Sequence, residues 1–282
     1  MRRLPILVVA ILCCTPLCHA QASAIPSAAP QADSTPDEGR KLLAQMVAAL
    51  GGDKWLNRST WVEYGQTGHF YKSTPDPYTV GFEEYNRAEP FAQRVVFIEH
   101  TSALAILGMP GRNHQDVANI WNDAGGWELS YKGKKSLPKE DVDEFERVRR
   151  HSLEVIVKQW LKQPGTIVTY EGSTTVDRRL AQKVAVLNDQ NDSVEIALED
   201  PTNLPLSITF KARNPTYKDF DTEIVNFADY HEVQGIQTPY AVSHYKNGDL
   251  VSERFITKVD YSTQVPADLF DPDHPPPPNA KK

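Results

Sequence analysis

Cysteine is almost absent from this chain, and the few copies sit together. Of 282 residues only three are Cys, and Cys13, Cys14 and Cys18 all lie near the N-terminus. The remainder therefore has no disulfide, no thiolate nucleophile and no zinc–cysteine site. Long hydrophobic runs are also missing. The stretch from Leu4 to Leu17 is too short for a comfortable membrane span, and nothing later is longer. Positive charge is in deficit, with 30 Lys and Arg against 37 Asp and Glu for a net charge of −7. That balance suits neither nucleic acid nor an anionic lipid surface. There is no phosphate-binding glycine loop, dinucleotide fingerprint or nucleophile elbow. Gly51-Gly52 and Gly125-Gly126 read as a helix cap and a turn. No two histidines stand one helical turn apart, as a helical metal site would need. No cofactor and no metal is expected.

What the chain does contain begins with an export pattern. Arg2 and Arg3 precede the apolar run, and Cys18-His19-Ala20 puts small residues before Gln21. This is the layout of a secretory signal peptide over residues 1–20, with a retained N-terminal anchor as the alternative. Its removal leaves 28 basic against 37 acidic residues, a net charge of −9. Export places the mature chain in the periplasm, with the extracellular space or the envelope as alternatives. Residues 21–34, rich in Ala, Ser and Pro, read as a flexible tether, and residues 272–282, with four consecutive prolines, as an extended tail. Residues 35–271 suit one large domain.

Within that domain the clearest signal lies at residues 222–262. Three β-rich runs are separated by Gly235 and by Asn247-Gly248, the latter suited to a two-residue hairpin with both φ values positive. Earlier, Thr35, Pro36 and Glu38 cap a helix carrying Leu42, Leu43, Met46, Val47 and Leu50, which Gly51-Gly52 ends. Tyr78, Val80 and Phe82 alternate as in a strand. Residues 138–163 carry the longest helical pattern, with Val142, Phe145, Val148, Ile156 and Trp160 on one stripe, ended by Pro164-Gly165. Counting runs gives about eleven strands in two blocks with this helix between them. The expected fold is mainly β with helices (α+β). It is a strongly curved antiparallel sheet of about eleven strands, an incomplete β-barrel, with one long helix covering its open face.

Candidate sites follow from that architecture. A curved sheet of this size has a hollow larger than side chains easily fill. The five tryptophans and many other rings either fill it or line it. The helix stripe Phe145, Val148, Ile156 and Trp160 is placed to act as a plug or lid. Residues 103–111 form an apolar loop without a clear period. There, Leu104, Ile106, Leu107 and Met109 read either as a buried turn or as a flap at the cavity mouth. The acidic cluster Glu140, Asp141, Asp143, Glu144 and Glu146 complements a helix start. Pairing about residues 235–238 would set His231 opposite His244. Solvated strand histidines account for that pair better than a metal site does, and a metal-dependent hydrolase is the remotest alternative.

The order of these features resembles a known group. Ala49-Leu50-Gly51-Gly52 ends the first helix, and Gly126-Trp127 and Leu137-Pro138-Lys139-Glu140 flank the middle. Asp200-Pro201 with Leu204-Pro205, Phe227-Ala228-Asp229-Tyr230, Val233-Gln234-Gly235-Ile236 with Pro239, and Asp268-Leu269-Phe270 follow. This resembles the bacterial outer-membrane lipoprotein-sorting (LolA/LolB-like) proteins over about residues 37–271. The resemblance implies an incomplete antiparallel barrel plugged by helices, no catalytic residues, and acyl chains held in an apolar hollow. Its implied partners are a lipoprotein acyl chain or another apolar ligand, and an envelope protein. An envelope interaction module with a self-filled core is the alternative function.

Overall fold

The computed structural model describes residues 36–69, 78–98, 117–130, 132–214 and 216–273. The signal and tether segments and the loop with Leu104, Ile106, Leu107 and Met109 lie outside the described residues.

Helices α1 (Pro36–Leu50) and α2 (Asp53–Leu56) come first. Six strands follow: β1 (Thr60–His69), β2 (Tyr78–Arg87), β3 (Ala92–Ile98), β4 (Val117–Asn122), β5 (Gly125–Ser130) and β6 (Gly133–Ser136). Helices α3 (Lys139–Arg150) and α4 (Leu153–Lys158) and a 3-10 turn (Trp160–Lys162) lead to the second block. That block comprises β7 (Ile167–Val176), β8 (Arg179–Leu187), β9 (Ser193–Glu199), β10 (Pro205–Arg213), β11 (Phe220–Val233), β12 (Ile236–Lys246) and β13 (Asp249–Asp260). All thirteen strands join one sheet, ordered β6-β5-β4-β3-β2-β1-β13-β12-β11-β10-β9-β8-β7.

The chain thus starts at the middle of the sheet, meanders out to the β6 edge and crosses to the β7 edge. It then meanders back until β13 pairs antiparallel with β1. The crossing is made by α3 and α4. The sheet stays open and bends strongly. Side chains from seven neighbouring strands, β3 through the β1–β13 junction to β10, line a single hollow of about 310 Å³. Laid flat, those strands would spread across roughly 29 Å.

The main core lies between helices and sheet. Leu43, Met46 and Leu50 of α1, with Trp55, Ile156 and Trp160, meet Val168, Val184, Val186, Ile196, Ile208 and Phe210 of the second block. At Gly39, α1 lies so close to β7 that a Cβ would come 2.9 Å from Val168 Cγ1 and 3.1 Å from the Tyr170 backbone nitrogen. The helix ends where expected, with Gly51 and Gly52 at φ 124° and 58°.

Three expectations need correction. Among the described residues the sheet has thirteen strands, not about eleven. One strand that is hard to read is β6, whose four residues are all exposed and show no apolar alternation. The long helix is not continuous. Ser152 takes an extended conformation (ψ 152°) and accepts a hydrogen bond from the Val155 N–H on its Oγ, so it caps a new helix mid-pattern. The register between β11 and β12 also differs. The turn is the two-residue Gln234-Gly235 pair at φ 55° and 84°, which sets Val233 opposite Ile236. His231 therefore faces Thr238 and His244 faces Val225, so the two histidines are not opposite one another.

The β1–β13 seam is the only direct link between the two strand blocks among the described residues, and it passes through a bulge at Tyr64/Gly65. A Cβ on Gly65 would come 2.2 Å from the Phe255 carbonyl oxygen and 3.0 Å from the Phe82 ring. Gly65→Ala is expected to lower the unfolding free energy by about 2–3 kcal/mol through overpacking. Urea denaturation reads this as an earlier midpoint, and an unchanged midpoint would show that the seam yields.

Candidate functional site

The break between α3 and α4 hangs over the middle of the bent sheet, and polar contacts fix it there. His151 is buried, its ring stacked on Phe210 with centroids 4.1 Å apart and its plane 73° from that of Trp160. Its Nδ1 lies 2.7 Å from the Arg147 carbonyl oxygen and its Nε2 2.9 Å from Asp192 Oδ1. Burial opposes the Asp192 charge. The hydrogen bond and charge of His151, with help from Arg150, nonetheless hold that carboxyl below the usual range.

One turn earlier, Arg147 Nε donates to Glu223 Oε1 of β11 at 2.8 Å, while His244 Nε2 of β12 lies 3.0 Å from Glu223 Oε2. Glu223 is fully buried. Burial works against its charge, but the His244 hydrogen bond and the Arg147 charge outweigh it and hold the carboxyl low. On its other side α3 is held by rings. Phe145 stacks on Trp121 at 4.2 Å with 9° between planes, and the Arg149 guanidinium stands 4.1 Å over Phe91.

Beneath the break is the hollow. Leu50, Trp55, Val148 and Leu153 form its helical wall, and Val225, Phe227, Val242, Ile256 and Tyr261 its apolar sheet wall. The β1–β2 side of the same hollow is charged. Arg254 Nη2 lies 2.8 Å from Glu84 Oε2 and 3.3 Å from Glu63 Oε2. Asn86 and Gln93 donate to Glu84 Oε1, each at 2.9 Å, and Trp61 Nε1 donates to Glu63 Oε1 at 2.8 Å. Burial first, then the Glu84 charge, pushes the Glu63 carboxyl up against the pull of Arg254. A second space, bordered by Phe91, Arg149, Val155 and Lys158, shares Trp61, Asn86, Gln93, Ser152 and Glu154 with the hollow and so adjoins it.

The sequence-expected lid residues separate into three groups. Val148 lines the hollow. Phe145 clamps α3 to β4. Ile156 and Trp160 are buried in the core cluster. Among the described residues, no group of three or more His, Cys, Asp or Glu could hold a metal ion. His231 is exposed and pairs with Asp229 at 3.0 Å.

Sequence reasoning missed the charged wall, although a signal for it was present. Val80 and Phe82 are inward residues of β2, and the same parity carries on to Glu84 and Asn86. Carboxylate and amide groups at positions that alternation reserves for the core mark a polar site inside.

No family model matches the chain, and no curated protein matches it. Solved structures do. A domain of Vibrio parahaemolyticus named for outer membrane lipoprotein sorting aligns over 84% of this chain and 97% of its own, at TM-score 0.50 and 11% identity. A LolA superfamily protein of Nitrosomonas europaea aligns over 82% of this chain and 96% of its own, at TM-score 0.50 and 8% identity. The fold is LolA-like. In this LolA-like fold the open sheet face is crossed by the α3–α4 segment, and the hollow lies between the two.

The Glu223 and Asp192 carboxyls have folded values below their unfolded ones. Their contribution to stability is therefore fully present above the unfolded values, about 3.9 for Asp and 4.3 for Glu. It is lost as the pH falls through the lower folded values. Thermal melting is expected to show stability dropping below about pH 4. Glu223→Gln is expected to flatten that acid limb and to lower Tm at pH 7. An acid limb identical to wild type would remove Glu223 from the helix anchor.

Proposed function

We propose that this chain is a non-enzymatic, exported binder or carrier of an apolar chain, either a lipoprotein acyl chain or another lipid tail. The ligand occupies the hollow under the helix break. The carrying observation is that hollow itself, walled by Leu50, Trp55, Val148, Leu153, Phe227 and Ile256 and placed between helices and sheet. Its likeness in fold to a domain named for lipoprotein sorting supports the same reading. None of the described helices is long and apolar enough to cross a membrane.

The unequal anchoring of the two helices suits loading and release. Helix α4 is held by the core through Ile156, whereas α3 has no fully buried residue and is held by Arg147, Phe145 and Arg149 and by the half-buried Val148 against the core. Segments with few buried apolar contacts open at the lowest free energy. Helix α3 is then the lid, the His151–Ser152 break its hinge, and Ile156 and Trp160 the fixed floor. Leu104, Ile106, Leu107 and Met109 supply a flap. A volume of about 310 Å³ is at the low end for ligand sites. A longer chain therefore enters only as α3 swings outward, exchanging lid contacts for ligand contacts.

Val148→Trp places a large ring in the hollow from the lid side. Its expected effect is a loss of at least about tenfold, roughly 1.4 kcal/mol, in affinity for the neutral fluorescent probe N-phenyl-1-naphthylamine, with the fold retained by circular dichroism. Wild-type protein that fails to bind the probe, or a variant that binds it equally well, would refute the cavity as the ligand site.

A further inference from the structure

The break between α3 and α4 holds a proton that its surroundings require. Helix α3 ends at Arg150, and the His151 N–H bonds the Val148 carbonyl rather than the Arg147 carbonyl four residues back. The His151 ring serves the Arg147 carbonyl instead, with Nδ1 2.7 Å from its oxygen. The other ring nitrogen, Nε2, lies 2.9 Å from Asp192 Oδ1. A carbonyl oxygen only accepts, and so does an ionised carboxylate. Burial opposes the Asp192 charge, but the ring and Arg150, whose Nε is 3.7 Å from Oδ2, keep the carboxyl low and ionised. Both ring nitrogens therefore carry hydrogen, and the ring in this arrangement is the doubly protonated imidazolium.

The surroundings suit a cation there. The ring stands at the C-terminus of α3, where the helix dipole favours positive charge. It stacks on Phe210 of β10 with planes 2° apart, and the 3-10 turn presents a second ring, Trp160. Asp192, from the β8–β9 turn, supplies the counter-charge. The other charged groups of the two helices near the break are matched among themselves, Arg147 with Glu223 and His244, and Glu154 of α4 with Arg58 and Lys158. His231 and His244 each engage one ring nitrogen, Nε2, which a neutral ring can supply. His151 uses both. Loss of one proton turns one of its contacts, at 2.7 or 2.9 Å, into two lone pairs facing each other.

We infer that His151 is a protonation switch on the α3 lid: the imidazolium latches the helix break over the hollow, and loss of one proton frees α3 to move and the ligand to exchange. This rests on the reading of α3 as a lid and adds what regulates it. The latch contributes while the ring keeps both protons and is lost as the pH rises. Histidine is the side chain suited to such a change near neutral pH. The Asp192 and Glu223 carboxyls, both held low, stay ionised there, so the Arg147–Glu223 pair persists and the lid loosens without the fold opening. The ring is 3% exposed yet borders the hollow, so a ligand seated there lies against the latch.

The test follows wild type and His151→Gln from about pH 5 to 8.5. Nitrogen NMR of the His151 ring, assigned through its backbone, reports its protonation. Amide-exchange protection of α3 relative to α4, corrected for the intrinsic rate, reports the lid in the empty protein. The dissociation rate of N-phenyl-1-naphthylamine, which stays uncharged over this range, reports ligand exchange. In wild type the ring is expected to be imidazolium at the acid end. As it loses a proton, α3 protection falls and the probe leaves faster, each by at least about tenfold, the equivalent of one hydrogen bond to a charged group. Helix α4 keeps its protection. His151→Gln, which cannot titrate, is expected to show the loose lid and fast exchange at every pH. A ring whose protonation is constant across the range, α3 protection that does not follow the ring, or the wild-type pH dependence retained in His151→Gln overturns the switch and leaves the cavity standing. A probe that binds at no pH overturns the cavity, and the ring and α3 measurements still decide the switch. Should the variant not fold, the wild-type ring and α3 titrations alone decide it.

Discussion

The antiparallel seam between β1 and β13 is the constraint from which the rest of the molecule follows. It fixes the beginning and the end of the strand succession side by side at the centre of the sheet. The chain must then travel outward to β6 and be carried whole to the opposite edge before it can return. The carrying segment has to cross one face, and hydrophobic burial decides which. Ile156 and Trp160 belong to the cluster formed by α1 and the inward residues of β7 to β10, so the crossing lies over the hollow side. The helix break and the cavity beneath it are consequences of a connection that cannot be short.

The forces on that crossing segment differ in kind along its length. Helix α4 is fixed by apolar burial, worth roughly 1.5–3 kcal/mol for each large side chain fully removed from water. Helix α3 depends on one buried ion pair, Arg147 with Glu223, on ring contacts by Phe145 and Arg149, and on the half-buried Val148. Breaking a buried pair from one side costs roughly 3–5 kcal/mol, whereas an exposed pair such as Lys139 with Asp143 contributes about 0–1. Helix α3 is thus held by a small number of strong contacts and not by a continuous apolar seam. The hollow beneath is two-sided, apolar toward β11 and β12 and charged toward β1 and β2.

Much of the fold was legible in residue pattern. Gly51-Gly52 ended α1, and Asn247-Gly248 and Gly235 marked the hairpin turns around β12, because positive φ leaves few residue choices. Strand β6 was invisible because Gly133–Ser136 buries nothing, so no alternation is required of it. The helix break at Ser152 was invisible because the apolar stripe runs on through it, and a cap inside a periodic run changes the backbone without changing the period. At the site, Val148 was legible as an inward helix residue. The ion group was not, because Glu63 and Glu84 meet across the β1–β2 pair and Arg254 joins them only through the β1–β13 seam, far apart in sequence.

The central claim is that the folded chain holds one apolar ligand in the hollow under α3. Native mass spectrometry of the protein isolated without detergent from the cells that make it, and again after incubation with N-phenyl-1-naphthylamine, tests this directly. The account predicts one additional small molecule per chain in at least the second sample, lost on denaturation. The bare chain mass in both samples would contradict it.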